Sequence, residues 1–240
     1  MAQQQKLTLS KEPFMDNPDR YRRLVGRLIY LLATRSDLAY VVHALSQFIK
    51  ESRVDHWNSA LRVVRYLKGM LAQGTLLRAN SNLKLFGWCD ADYAGCPITR
   101  KSVGGWFVTL GDSPVSWKTR KQDVVSRSSA ESEYLSMVLA TCELKWLKSL
   151  LHDLGVSQTE PMDLHCDNQA ALYIAANPVF HERTKHVEVD CHFIRDDIMN
   201  GTICTRKVHT TSQLADVFTK ALGRYEFESM VGRYFVVNIL

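Results

Sequence analysis

The spacing of apolar positions along the chain changes near residue 80. Before it, Tyr21, Leu24, Val25, Leu28, Ile29 and Leu32 fall at i, i+3, i+4, i+7, i+8 and i+11, the stripe of an amphipathic helix. A second helix is expected to start at a Ser36 cap and run through "DLAYVVHALSQFI", and a third spans "HWNSALRVVRYLKGML" before Gly74. Together they predict a small all-α unit.

After the joint "RANSN" the period becomes that of strands. "LKLFGWCDAD", "SVGGWFVTLG" and "PVSWKTRKQ" are rich in aromatic and β-branched residues and are separated by "GCPITRK" and "GDS", which predicts three successive antiparallel strands. A long helix follows. Ser128 and Glu131 stand at capping-box spacing, and Leu135, Val138, Leu139, Cys142, Trp146, Leu147, Leu150, Leu151 and Leu154 carry a stripe as far as Gly155. Then come a strand "MDLHCD", a short helix "NQAALYIAAN", a helix from Lys185 to Asn200, a strand "TICTRKVHT" and a helix "SQLADVFTKAL". The order βββαβααβα predicts an α/β fold, a mixed sheet with helices on its faces. Trp88, Trp106 and Trp146 are assigned to its core.

Four acids fall at the edges of these elements. Asp90 lies late in the first strand, Glu133 in the first turns of the long helix, Asp167 at the end of the fourth strand and Asp216 near the start of the last helix. Carboxylates brought together without a counter-charge raise one another's pKa until they take up protons, and a cation removes that conflict. Oxygen donors suit magnesium or manganese, and two such ions roughly 3.5 to 4 Å apart clamp the attacking and leaving oxygens in phosphodiester hydrolysis. Acids at element ends are common, so spacing alone leaves this reading open. Glu131 and Glu133 are two residues apart, roughly 200° around a helix, so only one of them can face such a site. Glu131 belongs with the Ser128 cap, and Glu133 is left for the metals.

At 240 residues and 46% hydrophobic content the chain can bury one large core or two modest ones. No apolar run is long enough to span a bilayer, and "MAQQQKLTLSKEP" lacks a signal-peptide centre, so an intracellular location, cytoplasm or nucleus, is expected. Six cysteines without a C-x-x-C pair suit reduced thiols. His181, His186, Cys191 and His192 do not share one helix face, which argues against zinc. A net charge of +5 permits nucleic-acid binding without requiring it. Arg62, Arg65 and Lys68 share a helix face, and Arg100, Lys101, Lys118, Arg120, Lys121 and Arg127 cluster on the early strands and their turns, where they could follow phosphates with Trp117 as a flat contact.

The strings "CDADYAGCPITRKSVGGWFVTLGDSPVSWKTRKQDVVSRSSAESEYLSM", "LHCDNQAALYIAANPVFHERTKHVEVDCHFIRDDI" and "TTSQLADVFTKAL" closely resemble the ribonuclease H domain of copia-type retrotransposon Pol polyproteins. "YRRLVGRLIYLLATRSDLAYVVHALSQF" and "HWNSALRVVRYLKG" resemble the end of the reverse transcriptase that precedes it. The resemblance implies a ribonuclease H-like fold, with a tail over 1–15, a helical unit over 16–80, the ribonuclease H-like domain over 82–223 and an extension over 224–240. It implies that Asp90, Glu133, Asp167 and Asp216 hold two magnesium or manganese ions, with Asp90 bridging, for hydrolysis of the RNA strand of RNA·DNA hybrids. Ser129, Asn168 and the backbone around Ala91 are candidates for the 2′-hydroxyls. Ser36 and His209 stand where the family usually has proline, and His209 is a candidate auxiliary in product release. The chain carries no "YVDD" or "FVDD" string, so no polymerase activity is expected. A reverse transcriptase or another Pol-derived chain is a candidate partner. The alternative is a decayed or domesticated module that binds nucleic acid or protein without cutting. Strand-transfer enzymes of similar fold have a late glutamate, where this chain has Asp216.

Overall fold

The computed structural model describes residues 11–177, 185–232 and 234–236, and the side chains of 185–191 and 235–236 lie outside that description. His181, and the side chains of His186 and Cys191, therefore fall outside it.

Three helices form the N-terminal unit: α1 (Pro18–Leu31), α2 (Ala39–Ser46) and α3 (Val54–Gly69). Tyr21, Val25 and Leu28 are buried against Leu38, Val42, Leu45, Ala60 and Val63, whereas Ile29, placed on the expected stripe, is exposed. Asn17, one turn before the expected start, caps α1 by accepting from the Arg20 N–H. The expected Ser36 cap is not made. Residues Ser36–Leu38 form a 3-10 turn, the Ser36 hydroxyl is buried without a partner, and the turn is held instead by Arg35, which grips both Asp37 oxygens at 2.9 and 2.8 Å. Pro13 to Met15 lie along Ser52 to Val54 through backbone hydrogen bonds of 3.1 and 3.2 Å.

The second unit is built on strands β2 (Leu85–Asp92), β3 (Val103–Leu110), β4 (Ser113–Lys121), β5 (Met162–Cys166) and β6 (Ile203–Lys207). Their order across the sheet is β4-β3-β2-β5-β6. β2 pairs antiparallel with β3 and β3 with β4, while β2–β5 and β5–β6 are parallel, so β3 alone runs against the rest. This is the five-stranded mixed sheet of the expected α/β class. The long helix α4 (Ser129–Asp153) covers one face, joined by α5 (Gln169–Ala176) and α6 (Lys185–Met199).

α4 turns a different side to the sheet from the one its leucines suggested. Glu133, Ser136, Met137, Ala140, Leu144 and Leu147 are buried, whereas Cys142, Trp146, Leu150 and Leu154 are exposed, Trp146 by 57%. Glycine explains the choice: a Cβ on Gly104 would meet Ser136 Oγ at 2.5 Å, so small residues on both elements let the helix lie close.

On the other face, α2, α7 (Asp216–Thr219) and α8 (Arg224–Val231) pack with Phe107, Leu214, Phe218 and Met230 into a further cluster. The expected last helix is thus only one turn long, preceded by a 3-10 turn at Thr210–Ser212, and α8 was not anticipated. A two-residue pair, β1 (Gly74–Thr75) with β7 (Phe235–Val236), links the chain's later end to the segment after α3. The described cysteines Cys89, Cys96, Cys142, Cys166 and Cys204 are free thiols. Among the described residues no helix is long and apolar enough to cross a membrane.

Candidate metal centre

The four acids come from four elements and converge. Ligand atoms of Asp90, Asp167 and Asp216 lie within 4.8 Å of one another, and so do those of Glu133, Cys166 and Asp167. Asp167, just past the end of β5, is common to both groups.

Local packing makes the convergence. Asp90 stands opposite Gly105 across β2 and β3, and a Cβ on Gly105 would meet the Lys118 carbonyl oxygen at 2.8 Å and Thr219 Cγ2 at 2.9 Å. The missing side chain is the room into which α7 presses. Gln213, fully buried, donates to the Cys89 carbonyl oxygen at 3.0 Å and accepts from the Ala215 N–H at 3.2 Å, pinning the entry to α7 beside Asp90. Thr119 donates to the Phe218 carbonyl oxygen at 2.7 Å from the same sheet face. Across the sheet, Gln122 donates to the Ser132 carbonyl oxygen at 2.8 Å and holds the first turn of α4, which carries Glu133 inward. Ser128 caps that helix, as expected, by accepting from the Glu131 N–H at 3.1 Å, and Glu131 accepts from the Arg127 N–H at 2.7 Å.

The carboxylates are crowded. Asp90 is fully buried, and its Oδ1 accepts from Lys220 Nζ at 2.9 Å while its other oxygen accepts from the Thr219 hydroxyl. Lys220 reaches Asp216 Oδ1 at 2.9 Å as well. Asp167 Oδ2 accepts from Thr210 at 2.8 Å. Burial, then the charges of Asp90, Cys166 and Asp167, push Glu133 up to about 10. Burial and then Asp90 push Asp216 up to about 7, against the pull of Lys220. Glu133 Oε2 is buried without a hydrogen-bond partner. An orphaned buried oxygen among carboxylates with too few positive partners is an environment that a divalent cation would satisfy, and the donors fit magnesium or manganese.

Thr219, Lys220, Thr210 and Gln213 were not singled out by their sequence pattern. Lys220 lies four residues after Asp216, the spacing of a helical ion pair, which was the one available signal.

The expected nucleic-acid residues do not form one surface. Lys118 and Arg120 alternate with Thr119 and Lys121, so they point to opposite faces of β4. Lys118, Arg100 and Arg127 are exposed, and Arg120 pairs with Asp123 at 2.8 Å in solvent. Lys101 donates to the Asp123 carbonyl oxygen, and Lys121 donates to Gln47 of the helical unit at 3.0 Å. Trp117, expected as a flat contact, donates its indole N–H to the Leu32 carbonyl oxygen at 3.0 Å and packs between the two units, because its strand position shares the α7 face. Asn168 caps α5 by accepting from the Ala171 N–H at 3.0 Å, and Ser129 is exposed at the start of α4. His209 is exposed, accepts from the Thr211 N–H at 3.3 Å, and precedes the threonine that touches Asp167.

No family model matches the chain. The retrovirus-related Pol polyprotein from transposon RE2 of Arabidopsis thaliana is 42% identical over 239 residues, covering 100% of this chain and 16% of its own length. That from transposon TNT 1-94 of Nicotiana tabacum is 34% identical over 209 residues, covering 87% of this chain and again 16% of its own length. Among solved structures, the N-terminal RNase H domain of rv2228c from Mycobacterium tuberculosis is similar at a TM-score of 0.42 and 10% identity, over 63% of this chain and 98% of that one. This chain thus spans about a sixth of the length of the Pol relatives it matches. From one end to the other, the chain is similar to one segment of the Pol polyproteins of copia-type retrotransposons.

Proposed function

We propose that the chain is a divalent-metal-dependent ribonuclease H, hydrolysing the RNA strand of RNA·DNA hybrids. One observation carries the reading: four carboxylates from β2, α4, the end of β5 and α7 face one another, and among the described residues their ion pairs come from Lys220 alone.

Asp90, Asp167, Asp216 and Glu133 would hold two magnesium or manganese ions, which when bound would supply positive charge for activating a water and for the departing 3′ oxygen. The chain's own residues prepare the place. Thr219 and Thr210 each donate to one carboxylate oxygen, of Asp90 and of Asp167, and so restrict how those side chains can turn. Gln213 fixes the distance between β2 and α7. Burial of Asp90 and Asp216 keeps bulk water from screening them. Exposed Lys118, Arg120, Arg100 and Arg127 would contact the hybrid's phosphates, and Ser129 and Asn168 would meet 2′-hydroxyls of the strand to be cut. Exposed His209, beside Thr210, would be the auxiliary residue in product release. We read residues 82–223 as the catalytic unit and 16–80 as a helical unit packed on it, with a Pol-derived chain as the partner class.

The test is substrate choice. Purified protein with magnesium should cut the RNA of a labelled hybrid and leave single-stranded RNA and duplex DNA intact; equal cleavage of duplex DNA would overturn the reading. Hybrid binding without cleavage would instead support the decayed, non-cutting module.

A further inference from the structure

Both oxygens of Asp90 are already taken, and by one dipeptide. Thr219 donates to one, and Lys220 Nζ lies 2.9 Å from the other and 2.9 Å from Asp216 Oδ1. Each oxygen keeps a further lone pair, but a cation drawn to Asp90 and Asp216 together competes with the ammonium that already bridges them. Thr219 is fully buried and also contacts the α7 backbone, whereas the Lys220 side chain is 31% exposed. Its stem lines a cavity of about 340 Å³ whose other walls include Arg62, Tyr66, Leu222 and Phe227. The ammonium therefore has somewhere to go, and the hydroxyl does not.

We propose that Lys220 is an internal counter-cation of the metal centre: it neutralises Asp90 and Asp216 while no divalent ion is bound, withdraws into that cavity when one enters, and thereby sets how tightly the centre binds a divalent cation of the magnesium and manganese class. The proposal rests on the metal-dependent reading above. Its physical basis is competition between two positive charges for the same oxygens. An unpaired buried Asp90 would be costly, so the lysine stays in place until another cation replaces it. The same attraction must then be given up when the metal binds, which weakens the apparent metal affinity.

Calorimetric titration with manganese, free of nucleic acid, reads this directly. Lys220→Met and Lys220→Gln should bind manganese on the order of tenfold more tightly than the wild type, and Lys220→Arg, which keeps the charge, should stay close to the wild-type value. A merely structural lysine would not divide the three variants by charge. Equal or weaker binding by both neutral variants, with Asp90→Asn weakened, overturns the role of Lys220 and leaves the metal reading standing. Wild-type-like binding by Asp90→Asn, or no manganese binding by the wild type, overturns both. The neutral variants should melt earlier than the wild type without metal and regain that loss in saturating manganese. Should neither fold even with manganese present, the proposal is also overturned, because the ion then fails to replace the lysine.

Discussion

Gly105 faces Asp90 across β2 and β3, and the side chain it lacks is the space that α7 occupies beside the acid. A Cβ there would meet the Lys118 carbonyl oxygen at 2.8 Å, Thr219 Cγ2 at 2.9 Å and Phe218 Cβ at 3.0 Å. The first is backbone and the other two belong to a buried helix turn, so none yields at low cost. Gly105→Ala should therefore destabilise by about 1 to 3 kcal/mol, the scale of core overpacking. It should also lower hybrid cleavage in samples still fully folded, because α7 carries Asp216. Thermal melting and cleavage rates on the same preparation check both.

Glu133 and Glu131 divide as their helix positions require. Glu133 is buried with an oxygen lacking a partner, and Glu131 accepts from the Arg127 N–H at the helix start. Glu133→Gln should abolish cleavage with stability unchanged or raised, since the metal-free protein already carries this group protonated at neutral pH. Glu131→Gln should keep most activity and cost at most about 1 kcal/mol, the scale of a helix cap. The reverse pattern would place the wrong glutamate in the site.

The metal-free protein should lose stability as pH rises from about 7.5 to about 9. Glu133, raised by burial and by Asp90, Cys166 and Asp167, keeps its proton in the folded state after the unfolded chain has lost it. Its contribution is full below the ordinary glutamate range and disappears as pH climbs through about 10. Asp216 behaves likewise, but its part is spent by about 7. His43 and His165, lowered by burial, act in the opposite sense only in the acid range, below the window chosen. Melting temperatures of wild type and Glu133→Gln should diverge toward alkaline pH across this window, the variant declining on the shallower slope.

Hybrid binding should depend on the basic strand residues unequally. Lys118 and Arg120 are exposed on one face of β4, and an exposed ion pair such as Arg120–Asp123 is released at little cost. Replacing both with alanine should lower the slope of log affinity against log salt by up to about two. Lys121→Ala alone should leave the slope nearly unchanged, because this side chain is turned to Gln47. Binding titrations at several salt concentrations decide between them.

The first three strands were legible because they are aromatic and β-branched runs separated by turn residues, whereas the set of four acids came from the family resemblance, since acids at element edges are common. The inner face of α4 was not. Of the expected stripe, Trp146, Leu150 and Leu154 are exposed and Leu147 alone is buried, while the buried side includes Ser132, Glu133, Ser136 and Thr141, so hydrophobicity misplaced the inner face. Polar and small residues are buried there because the helix must lie close to glycine-bearing strands and deliver a carboxylate. α7 escaped for a different reason: one turn has no periodicity, and its position depends on Gln213 and Gly105, which are distant from each other in sequence. The β1–β7 pair joins residues some 160 positions apart through two-residue strands, which leave no local pattern at all.

Cleavage of a hybrid labelled on its RNA strand, by wild type and Asp90→Asn, with magnesium and with a chelator, tests the account most directly. It predicts RNA fragments bearing 5′-phosphates from the wild type with magnesium alone, and none from Asp90→Asn, which should still bind the hybrid because the substitution keeps the side chain's shape. Cleavage by Asp90→Asn at the wild-type rate, or by the wild type in chelator, would contradict it.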